Sequence, residues 1–279
     1  GDADGSGGES VDDTRRSVPE DTTEREVKEA DRNHVIAVTD TVPSGEVGKF
    51  NANVDAIFLL KKLDAEGRNP TPEEKRTMAK FVGWGGLARY LNPYIVSSNE
   101  RAVVNAFMKG LAANVEKPGS FVRTKIDFTD RGPVNLSDYA NTSELIADIR
   151  KQLAREGFPV TPETIRTPML EALLTANEYQ AAQNSTISAH FTAPQIVDKM
   201  WDIVSRMGFR GGKVLESSAG IGNILGMMPQ NLLDKTSVTA FELETTTGRL
   251  LTKLYPQAKV VVDGFENSKI PLNSVDLAI

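Results

Sequence analysis

The sequence predicts an α/β fold, in which the first half of a doubly wound parallel sheet follows a mainly helical region and an acidic N-terminal tail. After Asn184, short strand-like runs alternate with helical patterns, which is typical of a parallel sheet. Before that point, apolar residues recur at helical spacing. The 279 residues, 39% hydrophobic and 25% charged, are enough for one large domain or two ordinary ones.

The predicted tail covers residues 1–32. Its first 30 residues hold ten acidic and four basic side chains, which accounts for the whole net charge of −6. The segment has almost no large apolar residue, so burial cannot compensate for the entropy lost on ordering. We therefore expect a flexible tail, and the balanced remainder argues neither for nor against a nucleic-acid partner.

Composition also excludes several kinds of site. The chain has no cysteine, and its two histidines, His34 and His190, lie far apart in sequence, so we expect no metal. No apolar run approaches the roughly 18 residues of a membrane span, so we expect no membrane partner and a cytoplasmic location.

The predicted helical region covers residues 33–184. Apolar spacing indicates a helix from Asn51 to a stop at Gly67, and the capping-box sequence from Thr71 to Glu74 begins a second helix that runs to about Val82. Further helices are predicted over 98–113, 143–156 and 167–183.

Two other features of this region have an ordinary structural interpretation. The Gly-Trp-Gly-Gly sequence at 83–86 is predicted to be a packed corner between helices, in preference to a loop that contacts a ligand. Scattered bases are interpreted as solvated helix faces rather than as a DNA contact: Lys61, Lys62, Arg68, Lys75, Arg76, Lys80 and Arg89.

The last predicted unit covers residues 185–279. A helix capped by Thr192 should run to about Met207. Strands are predicted over 213–216, 237–242, 258–263 and 274–279, with helices over 221–228 and 246–254.

Glycines and acids at two strand ends mark the candidate site. Gly220, Gly222 and Gly226 follow the first strand, one residue off the usual dinucleotide-binding spacing, so the glycines alone are weak support. Glu216 precedes this loop, and Glu242 ends the next strand, 20 residues after Gly222, where an acid commonly binds a ribose.

These acids favour a cationic nucleoside over a pyrophosphate. A carboxylate beside the loop would repel phosphates, whereas S-adenosylmethionine (AdoMet) carries a sulfonium and an ammonium group. The alternative that both acids are merely solvated strand ends stays open. A nicotinamide-dependent oxidoreductase is less favoured.

Four segments, at 185–201, 213–229, 241–256 and 263–279, are similar, in order, to the opening motifs of adenine-N6 DNA methyltransferases of the gamma arrangement. With the helical segment at 51–87, they most resemble the large methylase-helicase proteins of phages and conjugative elements, including DarB-like antirestriction proteins. This resemblance, which covers about 33–279, implies an incomplete Rossmann-like AdoMet-dependent methyltransferase sheet with DNA as partner.

The resemblance also implies roles for particular residues. A segment closing over the methionine part of AdoMet would contain His190, Phe191, Thr192 and Pro194. The glycine loop would be formed by Glu216, Ala219, Gly220 and Gly222. Glu242 would bind the ribose, and Phe265 would lie beside the adenine. Ser217 replaces the usual proline. At the position of Gly264, many relatives outside this subfamily have an aspartate that binds the adenine amine. The neighbouring Asp263 would substitute for that aspartate.

The catalytic Asn/Asp-Pro-Pro-aromatic segment of that family does not occur in this sequence. We therefore expect this chain alone to be inactive, as the front part of an enzyme in which a C-terminal remainder or a second chain completes the sheet. The alternative is a catalytically silent DNA-binding, scaffolding or virion-associated antirestriction protein. If the protein comes from a phage, the virion is a second expected location besides the host cytoplasm.

Overall fold

The computed structural model describes residues 29–40, 42–92, 94, 96, 98, 101, 104, 141–155, 157 and 160–279. Nearly all of the predicted tail and most of the predicted helix at 98–113 lie outside these residues. Six helices of at least two turns are described before the sheet: α1 (Gly45–Glu66), α2 (Pro72–Met78), α3 (Thr142–Arg155), α4 (Pro162–Leu173), α5 (Ala176–Ser185) and α6 (Pro194–Arg206).

The α/β half continues the chain with short elements. They are β1 (Gly212–Glu216), α7 (Asn223–Gly226), α8 (Gln230–Leu233), β2 (Thr236–Phe241), α9 (Thr245–Leu254), β3 (Lys259–Val261) and β4 (Leu277–Ala278). The four strands are all parallel, in the order β3-β2-β1-β4, with Glu216 opposite Ala240. The predicted α/β fold with a Rossmann-like parallel sheet is confirmed.

Capping residues explain where the helices begin. The predicted capping box is present, because Thr71 Oγ1 accepts from Glu74 N and the Glu74 carboxylate accepts from Thr71 N. The helix ends at Met78 rather than near Val82, since the chain turns there into the glycine loop. The helix predicted over 167–183 is wrong: Thr161 and Thr175 each begin a helix with a capping box, and Pro168 lies inside α4.

Two further sequence-based boundaries are corrected. The residue at the N-cap of α6 is Ala193, not Thr192. Pro194 takes the first helical position, where a missing N–H costs nothing. The fourth strand is much shorter than predicted, with only Leu277 and Ala278 paired to β1.

One hydrophobic core joins the helical region to the sheet. Buried side chains of α1, α4 and α9 belong to the same cluster, while a smaller cluster lies between α6 and the other sheet face. An extended segment also crosses between the two regions: His34 N donates to Leu254 O and Ile36 N to Gly226 O, both at 2.8 Å. Lys75, predicted to be solvated, is buried and donates to the carbonyls of Ala30 and Arg32.

Candidate functional site

The site begins at the carboxyl end of β1. The last three residues of this strand are buried, and Glu216 is only 3% exposed. Burial raises the pKa of Glu216 to about 8, and the charge of Glu242 contributes to the rise. Glu216 Oε2 has no hydrogen-bond partner among the described residues. A buried carboxyl without a partner is costly, so this atom calls for a ligand or a functional explanation.

The loop after Glu216 is shaped by two glycines. Gly220 and Gly222 have φ angles of 55° and 85°, a left-handed conformation that other residues rarely adopt. A side chain at Gly222 would also collide with the buried ring of Tyr255. Ala219 N donates to Phe241 O at 2.8 Å, which ties this loop to the end of β2.

Glu242 joins the two strand ends. Its Oε2 accepts from Gly220 N and its Oε1 from Glu244 N, each at 2.8 Å. Burial raises the pKa of Glu242, and these backbone donors offset only part of the effect. These contacts join Glu242 to Gly220 at the carboxyl edge of the sheet, where Glu216 ends β1.

The segment before α6 covers this loop. The Phe191 ring packs on Gly220, since a β-carbon there would lie 2.8 Å from the ring. Thr192 O accepts from Asn223 Nδ2 at 2.8 Å, while Pro194 is buried at the start of α6. The His190 ring lies beside Gly85 of the helical region.

Asp263 and Phe265 follow the neighbouring strand, β3. Phe265 packs edge-on against Phe241, with ring centroids 5.3 Å apart, and remains 40% exposed. Asp263 Oδ1 accepts from Asn267 Nδ2 at 2.9 Å and from Gly264 N at 2.7 Å. The hydrogen bond from Asn267 and that from Gly264 lower the pKa of Asp263. Asp263 thus caps its own turn, whereas Phe265 connects to the loop through Phe241.

Tyr255 was missed by the sequence-based prediction. It is fully buried beneath the loop, its hydroxyl has no partner among the described residues, and burial together with the charge of Glu216 raises its pKa. In the sequence it follows an apolar helix, as many core tyrosines do. No signal in the sequence distinguishes it from packing.

Four of the seven bases singled out in the sequence form ion pairs within the helical region. Lys61 contacts Glu178, Arg68 contacts Glu74, and Arg76 contacts Glu73. A further base, Arg89, bridges Glu46 and Glu163. Within the described ranges, these pairs reduce the positive charge that the helical region could offer to a phosphate backbone.

The described part of the chain contains neither a candidate membrane span nor a candidate metal cluster. None of its helices is long and apolar enough to cross a membrane. Within the same residues, no group of three or more His, Cys, Asp or Glu side chains is arranged to hold a metal ion.

A scan of the chain against protein-family models, and searches of curated proteins and of solved structures, gave no match.

Proposed function

We propose that the carboxyl edge of the sheet binds AdoMet, and that the chain is the front part of an adenine-N6 DNA methyltransferase of a phage or mobile element, linked to protection from restriction. The observation that carries the AdoMet proposal is the buried, unpartnered Glu216 Oε2, which finds no donor among the described residues and lies beside a loop of positive-φ glycines. DNA as the substrate rests on the sequence resemblance alone.

The site suits a cation better than a phosphate. Phosphate sites use free backbone N–H groups at the start of a helix, but here Gly220 N is already bonded to the Glu242 carboxylate. The helix that follows, α7, has only four residues and offers little dipole. Two acids at one loop favour an ammonium or sulfonium ligand, which also disfavours a dinucleotide.

Each residue would then have a definite task. Glu216 would hold the positively charged methionine end, and its own ionisation would become favourable beside that charge. Gly220 and Gly222 would let the ligand approach bare backbone. Glu242, whose carboxylate oxygens can each accept more than one hydrogen bond, would accept from the ribose hydroxyls. Phe265 would lie beside the adenine.

The remaining implied residues complete the site around the ligand. His190, Phe191, Thr192 and Pro194 would cover the methionine part, and Ala219 would support the loop. The resemblance would also place Asp263 near the adenine amine, whereas in this structure its Oδ1 is bonded within its own turn. Bound AdoMet supplies an activated methyl group. Without an Asn-Pro-Pro or Asp-Pro-Pro segment in this sequence, we expect binding without methyl transfer by this chain alone.

Isothermal titration tests the proposal. Wild-type protein should bind AdoMet at pH 7, and Glu216→Gln should weaken binding roughly 10-fold to 100-fold, the worth of one charge-assisted hydrogen bond. Asp234→Asn, an exposed acid before the amino end of β2, is the matched control and should bind like wild type. Folded wild-type protein that shows no binding at millimolar AdoMet would overturn the proposal.

The alternative is that this chain is a silent DNA-binding, scaffolding or virion-associated antirestriction component. The double variant Glu216→Ala/Glu242→Ala separates the two functions. Loss of AdoMet binding with unchanged antirestriction activity would support the silent component. Loss of both, in an assay that also contains a polypeptide carrying the catalytic segment, would support the methyltransferase.

A further inference from the structure

The Gly-Trp-Gly-Gly loop is defined here as residues 81–86 of the helical region, with the Gly-Trp-Gly-Gly sequence itself at 83–86. This loop lies directly against the segment that covers the candidate site. A β-carbon on Gly85 would lie 2.7 Å from Ala189 O and 3.1 Å from the His190 ring. A β-carbon on Gly83 would lie 3.1 Å from Phe191 Cζ, and the Phe81 and Phe191 ring centroids are 6.3 Å apart. The two segments are therefore in van der Waals contact.

Phe191 is held from both sides. One part of its ring faces Gly83 of the helical region, while Cδ1 and Cε1 face Gly220 of the site loop. Both of these backbone neighbours, Gly83 and Gly220, are glycines, so the aromatic ring fits between two stretches of bare backbone. One side chain therefore contacts both the helical region and the site loop.

Two hydrogen bonds join the loop to Asn53 of α1. Asn53 is fully buried, and its side chain donates to Gly83 O at 2.7 Å and accepts from Val82 N at 2.9 Å. Trp84 is also fully buried and packs edge-on against Phe81, with centroids 5.8 Å apart. A buried amide that is paired on both its donor and its acceptor side specifies one arrangement.

We propose that the Gly-Trp-Gly-Gly loop is a positioning element, which seats Phe191 on Gly220 and thereby sets the ligand affinity of the site, with Asn53 and Gly85 as positioning residues. The effect on affinity rests on the proposed AdoMet site, whereas the seating of Phe191 does not.

Gly85 offers a selective test. Its φ is not in the left-handed region, so the backbone accepts alanine, and the obstruction comes from the 189–190 segment. Gly48→Ala is the matched control, because Gly48 lies in α1 and a β-carbon added there would meet no heavy atom within 4 Å.

Hydrogen–deuterium exchange and titration measure the two consequences separately. In Gly85→Ala, amides of residues 186–193 should exchange at least about fivefold faster while those of β1 and β2 keep their wild-type rates, and the Kd for AdoMet should rise about tenfold. Gly48→Ala should match wild type in both. Unchanged exchange over 186–193 in Gly85→Ala would overturn the positioning role. Absence of AdoMet binding in wild type would overturn the proposed function, and the exchange result would still decide the seating of Phe191.

Phe191→Ala provides a second test that leaves the loop sequence intact and covers the case in which Gly85→Ala does not fold. Removing the shared ring should speed exchange in both 81–87 and 186–193. Ile196→Ala, which trims an exposed side chain on α6, should change neither. Faster exchange confined to 186–193 would contradict the reciprocal contact.

Discussion

Two of the three glutamates that are buried among the described residues have opposite surroundings. Glu178, 5% exposed, lies where the helical region meets α9, and its carboxylate contacts Lys61 and Arg249. Burial alone would raise the pKa of Glu178, but the hydrogen bond from Thr175 N and the two cations lower it overall. Glu216, 3% exposed, has an acid as its charged neighbour and a pKa of about 8.

The difference separates a buried carboxylate that the fold neutralises from one that it leaves without a partner among the described residues. Glu178 caps α5 and joins α1, α5 and α9, so the fold itself supplies its counterions. Glu216 is buried equally deeply, yet the described residues give its Oε2 no donor. A carboxyl placed at such cost at a ligand-binding edge of the sheet is a candidate for ligand binding.

The largest expected effect is the pH dependence due to Glu216. Its carboxyl keeps a proton up to a pKa of about 8 when folded, against 4.5 ordinarily, so the folded state binds more protons between these values. The contribution of Glu216 to the free energy of unfolding therefore falls as pH rises through this window, by roughly 2 to 3 kcal/mol between pH 5 and pH 7. Urea titrations of wild type and Glu216→Gln should show this loss in the wild type only. Parallel pH profiles would contradict the unpaired state of Glu216.

Glu178→Gln should destabilise the protein by about 2 kcal/mol at pH 7, because glutamine preserves the capping geometry but leaves Lys61 and Arg249 without this counterion. Urea unfolding at pH 7 measures the loss. The control is Glu66→Gln, which removes a half-exposed acid paired with Arg68 and should change stability by less than about 0.5 kcal/mol. Equal effects of the two variants would mean that the Glu178 network is no stronger than a surface pair.

Lys61→Met should cost less, about 1 kcal/mol, because Arg249 still neutralises Glu178 and the methionine keeps most of the apolar stem. The pKa of Glu178 should move upward toward its ordinary value, so between pH 7 and pH 4 this variant should lose less stability than wild type. Unfolding curves at pH 7 and pH 4 measure both effects. A loss as large as that in Glu178→Gln would show that Lys61, not Arg249, supplies the compensation.

The sequence predicted much of the fold because its signals are local. The alternation of strand-like runs with helical patterns predicted the parallel sheet, and the capping residue Thr71 predicted the start of a helix. Errors arose where two local signals competed: Pro168 looked like a helix start, but the capping boxes at Thr161 and Thr175 prevailed. Thr192 failed as a cap because Pro194 begins α6 two residues later.

The candidate site was predictable only in part. Acids at consecutive parallel strand ends must meet at one edge, so Glu216 and Glu242 could be paired from the sequence. When a side chain packs against a residue from a distant segment, no local pattern in the sequence identifies that residue. Tyr255 beneath Gly222, and Phe191 between Gly83 and Gly220, depend on contacts between residues that lie far apart in the chain.

By itself, the sequence determined the order of elements, the parallel sheet and the placement of glycines and acids after its strands, because these follow from periodicity, caps and backbone freedom. Only the tertiary structure decided which buried glutamate receives counterions from the described residues and which does not. It also decided that the Gly-Trp-Gly-Gly loop, a packed corner by its own composition, rests against Phe191. The physical reason is that burial and charge compensation are properties of the assembled core, to which α1, α5 and α9 contribute from distant parts of the chain.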